Sequence, residues 1–229
     1  MIYAVTGSNG FIGKHLCQRL GDVVKVERNG NLPECDVVYH LASYGNHYFQ
    51  KDVIQTVNTN IIYLAELIRQ AKKMGAKFYN VSSSSVTLKI QTTYSATKII
   101  GENLTTEAGF INIRPYSVYG EGEAEHRLIP TIIRCLRTGE AMELAPDPVH
   151  DWIHVQDFIS AMLDGHTEIG TGIQYTNLEI VRMLEQISGK KLNVKLTEKV
   201  RNFDTDNWKC ENGVPHQNII NTLQRLWNA

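Results

Sequence analysis

The sequence predicts an α/β fold: a doubly wound parallel sheet, one edge unit shortened, with a small C-terminal part. Three observations predict it. Short apolar runs alternate with amphipathic stretches of helical period from residue 2 to residue 114. Three glycines, Gly7, Gly10 and Gly13, separate the first run from the first amphipathic stretch. The run from Asp36 to Leu41 is almost continuously apolar, as a strand covered on both faces must be.

The elements follow in order. Residues 2–6 form the first strand, and Ile12, Leu16 and Leu20 set the helical spacing of 12–20. Val23 to Glu27 is the second strand and Asp36 to Leu41 the third. Residues 52–74 read as one long helix, with Ile54, Val57, Ile61, Leu64, Ala65 and Ile68 on one stripe and Gly75 as its stop. A strand at 77–82, a helix at 94–108 ended by Gly109, and a strand at 111–114 cut short by Pro115 complete the alternation. Helices are expected at 127–138, 154–163, 176–188 and 216–227. The division is a cofactor domain over 1–118 and a smaller substrate part over 119–229. The segment 151–164 returns to the sheet, so the two interleave.

Composition bounds the function. A chain of 229 residues holds one such domain with a modest elaboration. With 42% hydrophobic and 21% charged residues it reads as an ordinary globule. The net charge of −1 supplies no field for nucleic acid, and Lys72-Lys73 and Lys190-Lys191 read as solvated surface. Cys17, Cys35, Cys135 and Cys210 form no C-x-x-C pair, so they are expected as reduced thiols. The N-terminus has no charged region ahead of a long apolar one, and no stretch is long enough to span a bilayer. The expected location is the cytoplasm, with no membrane partner.

The glycine segment Thr6-Gly7-Ser8-Asn9-Gly10-Phe11-Ile12-Gly13 follows a strand and opens a helix. Three small residues there let backbone N–H groups approach a pyrophosphate at the helix N-terminus. An ordinary strand-to-helix turn is the plainer reading; the spacing and context favour a dinucleotide site. Glu27 at the end of the second strand suits the hydroxyls of an adenosine ribose, and hence NAD. Arg28 suits a 2′-phosphate, and hence NADP. The strand-end position of Glu27 favours NAD.

Tyr94 and Lys98 stand four residues apart on a helix, on one face. A nearby ammonium stabilises the phenolate and lowers the tyrosine pKa towards working pH. Tyr94 can then take a proton from a sugar hydroxyl, and Lys98 reaches the nicotinamide ribose. Alone, Tyr-x-x-x-Lys is common by chance. It gains weight after the glycine turn and after the serine run Ser82-Ser83-Ser84-Ser85, one member of which can hold the substrate oxygen.

The glycine turn, His40-Leu41-Ala42, Asn58, the serine run, Tyr94 with Lys98, and Arg114-Pro115-Tyr116-Ser117-Val118-Tyr119-Gly120 resemble the extended short-chain dehydrogenase/reductase family. That family includes UDP-galactose 4-epimerases, nucleotide-sugar dehydratases, decarboxylases and 4-keto sugar reductases. The resemblance continues through Asp151-Trp152-Ile153-His154-Val155 and Gly170-Thr171-Gly172. It implies a Rossmann domain with a small substrate domain, bound NAD or NADP, and a nucleotide-sugar substrate. It also implies a homodimer through 52–74 and 94–108. By the same resemblance Ser83 is the catalytic serine beside Tyr94 and Lys98. Gly7, Asn9, Gly10, Phe11, Ile12, Gly13, Glu27, Arg28, Leu41, Ala42, Ser43 and Asn58 hold the cofactor. Ser84, Ser117, Arg127, His150 and Arg201 face the substrate.

The departures are as informative. About eight residues lie between the second strand and Asp36. The family carries a helix, a strand and a helix there, so the sheet should lack an edge strand and adenine should be loosely held. Ser83 and Tyr94 are only 11 residues apart, shorter than usual. Ser84 and Ser85 replace the Asp-Glu pair of the dehydratases, which disfavours dehydration. Ser117 replaces an asparagine and His150 an arginine of the diphosphate grip. His126, Arg127 and Arg201 are the candidate replacements, since arginine forks suit diphosphate. His154 reads as structural, and no histidine grouping predicts a metal. The expected activity is epimerisation through hydride transfer at a sugar carbon, C4. The alternatives are an NADP-dependent 4-keto reductase and a non-catalytic dinucleotide sensor.

Overall fold

The structure is a computed structural model that describes residues 1–198 and 204–229. The chain divides into a unit over Met1–Pro115 and a unit over Tyr116–Ala229.

The first unit is the α/β sheet. Its strands are β1 (Tyr3–Thr6), β2 (Val23–Val26), β3 (Val37–His40), β4 (Lys77–Val81) and β5 (Ile111–Pro115). They run in the order β2-β1-β3-β4-β5, every pair parallel. The helices are α1 (Phe11–Leu20), α2 (Val53–Val57), α3 (Leu64–Met74) and α4 (Thr93–Glu107). Leu64, Leu67, Ile68 and Ala71 of α3 bury one stripe against Ala4, Val26, Val38 and Phe78 of the sheet. Left-handed Gly75 closes α3.

The missing edge unit leaves β2 as the outer strand. The chain steps from β2 over β1 to β3 with no helix between. A short crossover of this kind needs outside support, and α3 and the segment before it supply that support. The Tyr63 hydroxyl donates to Gly30 O at 2.8 Å, and Leu32 N donates to Gln70 Oε1 at 2.7 Å. Within the crossover Gly30 N donates to Glu27 O at 2.9 Å, while Asn29 takes a left-handed φ of 59°.

The single helix expected over 52–74 is three pieces. Between α2 and α3 the backbone widens into a π-helix, Asn58–Tyr63. Such insertions cluster at functional sites, and hydrophobic spacing cannot register one extra residue in a turn.

The second unit contains α5 (Leu128–Thr138), α6 (Val155–Leu163), α7 (Asn177–Ser188) and α8 (Ile219–Asn228). All four were expected within a few residues. Its strands are β6 (Ser117–Tyr119), β7 (Met142–Leu144), β8 (Val149–His154), β9 (Glu168–Ile169), β10 (Gln174–Thr176) and β11 (Val194–Leu196). Strands β10, β8 and β6 form one sheet, and β11 pairs with β7 in another. Five of these strands have only two or three residues, too few to show an alternating pattern. The core joins Tyr119, Ile132, Leu136, Trp152, Leu184 and Leu223. Asp151, almost fully buried, anchors the loops around that sheet. It accepts hydrogen bonds from Thr171 N, Thr171 Oγ1, Gly172 N and Cys210 N at 2.7–2.9 Å. A buried carboxylate is tolerable only when so satisfied.

Packing at the first turn makes a stability prediction. A Cβ on Gly13 would stand 2.1 Å from Gly7 O, a backbone atom that cannot rotate away. Gly13→Ala should destabilise by about 1–3 kcal/mol, read as a fall of several degrees in Tm by differential scanning calorimetry.

Candidate active site

The site is built where β1, β3 and β4 end. Gly7 turns the chain with φ +65°, and a Cβ there would strike Ala42 N at 2.7 Å and Leu41 C at 2.8 Å. The turn therefore lies against the backbone of Leu41-Ala42, and only glycine allows that approach. Gly10 caps α1 with no side-chain hydrogen bond, and the first turn of α1 carries no acidic residue. Its leading N–H groups are thus not consumed by the chain's own caps and suit an anion. Asn9 and Gly10 are exposed, Phe11 and Ile12 half-buried.

The Leu41-Ala42-Ser43 segment is fixed from two sides. Thr6 Oγ1 accepts from Ala42 N at 3.2 Å and bonds His40 Nδ1 at 2.8 Å. Burial pushes His40 down to about 3, so the imidazole stays neutral. On the other side Asn60, 3% exposed, binds both backbone groups of Tyr44 at 2.9 Å and donates to Thr97 Oγ1 at 2.9 Å. Asn60 sits in the π-helix, and Thr97 lies between Tyr94 and Lys98 on α4. The residue expected here, Asn58, is exposed on the same π-helix. The inward-facing asparagine, Asn60, is two positions later on the same π-helix, against the Tyr44 loop and α4.

Helix α4 begins with a capping box between Thr92 and Ser95, which sets Tyr94 in its first turn. Tyr94 is half-buried. Lys98, 5% exposed, donates from Nζ to Val81 O at 2.9 Å and stands 5.9 Å from the centre of the Tyr94 ring. Burial lowers its pKa to about 8, against the opposing pull of Glu102. That bond ties α4 to the end of β4, where the serine run begins. Ser83 Oγ accepts from Ser85 N at 3.1 Å and from Ser85 Oγ at 2.9 Å, opening the short 3₁₀ turn Ser84–Thr87. Ser84 is buried, and Ser82 Oγ is buried with no hydrogen-bond partner among the described residues. Glu27 and Arg28 are both exposed at the end of β2.

In the second unit Ser117 is half-buried on β6, and Arg127 precedes α5. Beside Arg127 stands a group the sequence reading did not single out. Burial raises the Glu123 carboxyl to about 8 against the pull of Arg127, and among the described residues its Oε2 has no hydrogen-bond partner. His150 packs between Trp152 and Trp208, with ring centres 5.3 Å away on each side. His154 bonds Glu121 at 3.1 Å and caps α6. Arg201 lies outside the described residues. Among the described residues no three His, Cys, Asp or Glu side chains group to hold a metal, and no helix is long and apolar enough to cross a membrane. All four cysteines are buried free thiols.

The pattern of the NAD dependent epimerase/dehydratase family matches residues 22–176, a span that includes Tyr94 and Lys98. CDP-abequose synthase of Salmonella typhimurium is 26% identical over 218 residues, covering 75% of this chain and 73% of that protein. MoeE5 in complex with UDP-glucuronic acid and NAD superposes with a TM-score of 0.86 at 20% identity, over 100% of this chain and 99% of that one. The UDP-glucuronic acid 4-epimerase of Bacillus cereus, in complex with UDP-glucuronic acid and NAD, gives 0.84 at 21%, over 100% and 98%.

Asn60 makes a prediction. Asn60→Ala would remove three hydrogen bonds and leave both Tyr44 backbone groups to find new partners. A loss of about 2–3 kcal/mol is expected, measured by urea denaturation, with faster amide exchange at Tyr44.

Proposed function

Because the chain belongs to the NAD dependent epimerase/dehydratase family, we propose that it epimerises a nucleotide sugar by moving a hydride from and back to one ring carbon, C4. The observation that carries this reading is a buried ammonium, Lys98, set against the ring of a half-buried phenol, Tyr94.

The residues present suit a dinucleotide. The uncapped N-terminus of α1, with Gly7, Asn9, Gly10, Phe11, Ile12 and Gly13, would hold the pyrophosphate. Glu27 would take the adenosine ribose, and Leu41, Ala42 and Ser43 would line the middle of the cofactor. Lys98 would meet the nicotinamide ribose. The bound nicotinamide supplies the hydride acceptor and donor. Tyr94 takes the proton of the sugar hydroxyl as that carbon is oxidised and returns it on reduction. The Lys98 ammonium stabilises the phenolate in between. Ser83 holds the sugar oxygen for Tyr94. Ser84, Ser117, Arg127, His150 and Arg201 remain the proposed substrate contacts. Ser84 and Ser85 put hydroxyls where elimination would need an acid and a base, so dehydration is disfavoured.

A second reading rests on Arg28, exposed beside Glu27. A 2′-phosphate on that arginine would make the protein an NADP-dependent 4-keto sugar reductase using the same three residues. We also propose a homodimer across α2–α3 and α4, where Ile54, Ile62 and Ile100 are exposed.

The deciding experiment incubates the protein with a panel of nucleotide sugars and either cofactor, followed by mass spectrometry and stereochemical assignment of the product. An inverted sugar without net cofactor consumption supports the epimerase; stoichiometric NADPH oxidation replaces it with the reductase. Tyr94→Phe should lower kcat by about 10²–10⁴-fold with cofactor affinity retained. A function that survives this substitution points to a dinucleotide sensor. The pH dependence has a definite sign. Lys98 is an ammonium below about 8 and loses its proton above it, so kcat/KM should fall as pH rises through that value.

A further inference from the structure

Tyr94, Lys98 and Glu102 follow one another at intervals of four residues along α4, and so share one helix face. Glu102 is 7% exposed. It is not a stray surface acid: Arg114 on β5 grips both its oxygens, Nε to Oε1 at 2.8 Å and Nη2 to Oε2 at 2.7 Å. This two-pronged contact fixes the carboxylate as a charge one turn beyond Lys98. Lys98 itself has little else to hold its proton. Its Nζ bonds the neutral Val81 carbonyl of β4. His40 of β3 faces it as a neutral ring. Tyr94 is the group it serves. Among the described residues the negative charge that acts on it is Glu102.

We propose that Glu102, clasped by Arg114, is a positioning residue whose buried negative charge keeps Lys98 an ammonium while Tyr94 exchanges its proton. Glu102 touches neither substrate nor cofactor in this scheme. It acts through Lys98, and Arg114 acts by holding the carboxylate in place. The reactive pair is therefore the visible end of a four-member line of alternating charge: phenolate, ammonium, carboxylate, guanidinium. The inference deepens the proposed function and rests on its assignment of Tyr94 and Lys98.

The test reads Lys98 directly, without substrate. Lysine Cε and Hε resonances of the isotope-labelled full chain are followed with pH, and the Lys98 signal is identified by its loss in Lys98→Met. Glu102→Gln keeps the side-chain shape and removes the charge. Lys98 should then titrate about one pH unit lower, and Glu102→Asp should restore most of the difference. Should Glu102→Gln fail to fold, the doubly neutral Glu102→Gln/Arg114→Gln avoids an unpaired guanidinium and should lower the Lys98 titration in the same direction. An unchanged Lys98 titration in whichever variant folds overturns the proposal and leaves the pair as a strap between α4 and β5. The decline of kcat/KM at alkaline pH should move with the resonance. A shifted resonance in a protein that turns over no nucleotide sugar would keep the electrostatic role and sink only the epimerase reading.

Discussion

A lysine ammonium kept out of water is the constraint around which the first unit is arranged. Lys98 has given up its hydration for one carbonyl bond and the charge of Glu102. Burying a cation is tolerable only where its surroundings supply partners for the charge. Helix α4 must therefore sit close to β4 and to the π-helix. Gly101 permits this, since a Cβ there would reach Leu64 Cδ2 at 2.9 Å and Asn60 O at 3.4 Å. The capping box at Thr92 then fixes where the helix starts, and with it the height of Tyr94 in the site.

The turn around Gly7 follows the same logic of close approach. Its backbone lies against Leu41-Ala42, while Thr6 and Asn60 hold that segment from opposite sides. The π-helix thus has a structural purpose. One extra residue in a turn brings Asn60 to the Tyr44 backbone and to Thr97 at once. Shortening the crossover after β2 strips the sheet of an edge strand yet spares this arrangement. The supports of the crossover, Tyr63 and Gln70, lie further along the same helical rod.

The second unit is stabilised differently. Its sheets are made of very short strands, which contribute few ladder bonds of their own. Order comes instead from the apolar cluster around Tyr119, Trp152 and Leu184 and from the saturated Asp151 carboxylate. The Tyr119 hydroxyl is bonded to Thr222 of α8, so the last helix is fixed into that cluster. Half-buried Glu123 stands apart: its buried Oε2 has no hydrogen-bond partner among the described residues, the reverse of Asp151.

The parallel sheet, the glycine turn, the loss of an edge unit and the Tyr94–Lys98 spacing were all legible in the chain. Each is local: a period of two or 3.6 residues, a glycine where no Cβ fits, a short count between strands. The π-helix, the exchange of Asn58 for Asn60, and the strands of the second unit were not legible, because one inserted residue or a three-residue pairing leaves no periodic trace. Nor did anything in the sequence join Glu102 to Arg114, twelve residues apart on a helix and a strand. Sequence by itself determined which reactive groups this protein carries and the helix face on which they stand. Tertiary structure alone decided which of them lose their water, and burial sets the charge a side chain bears only after the chain has folded around it.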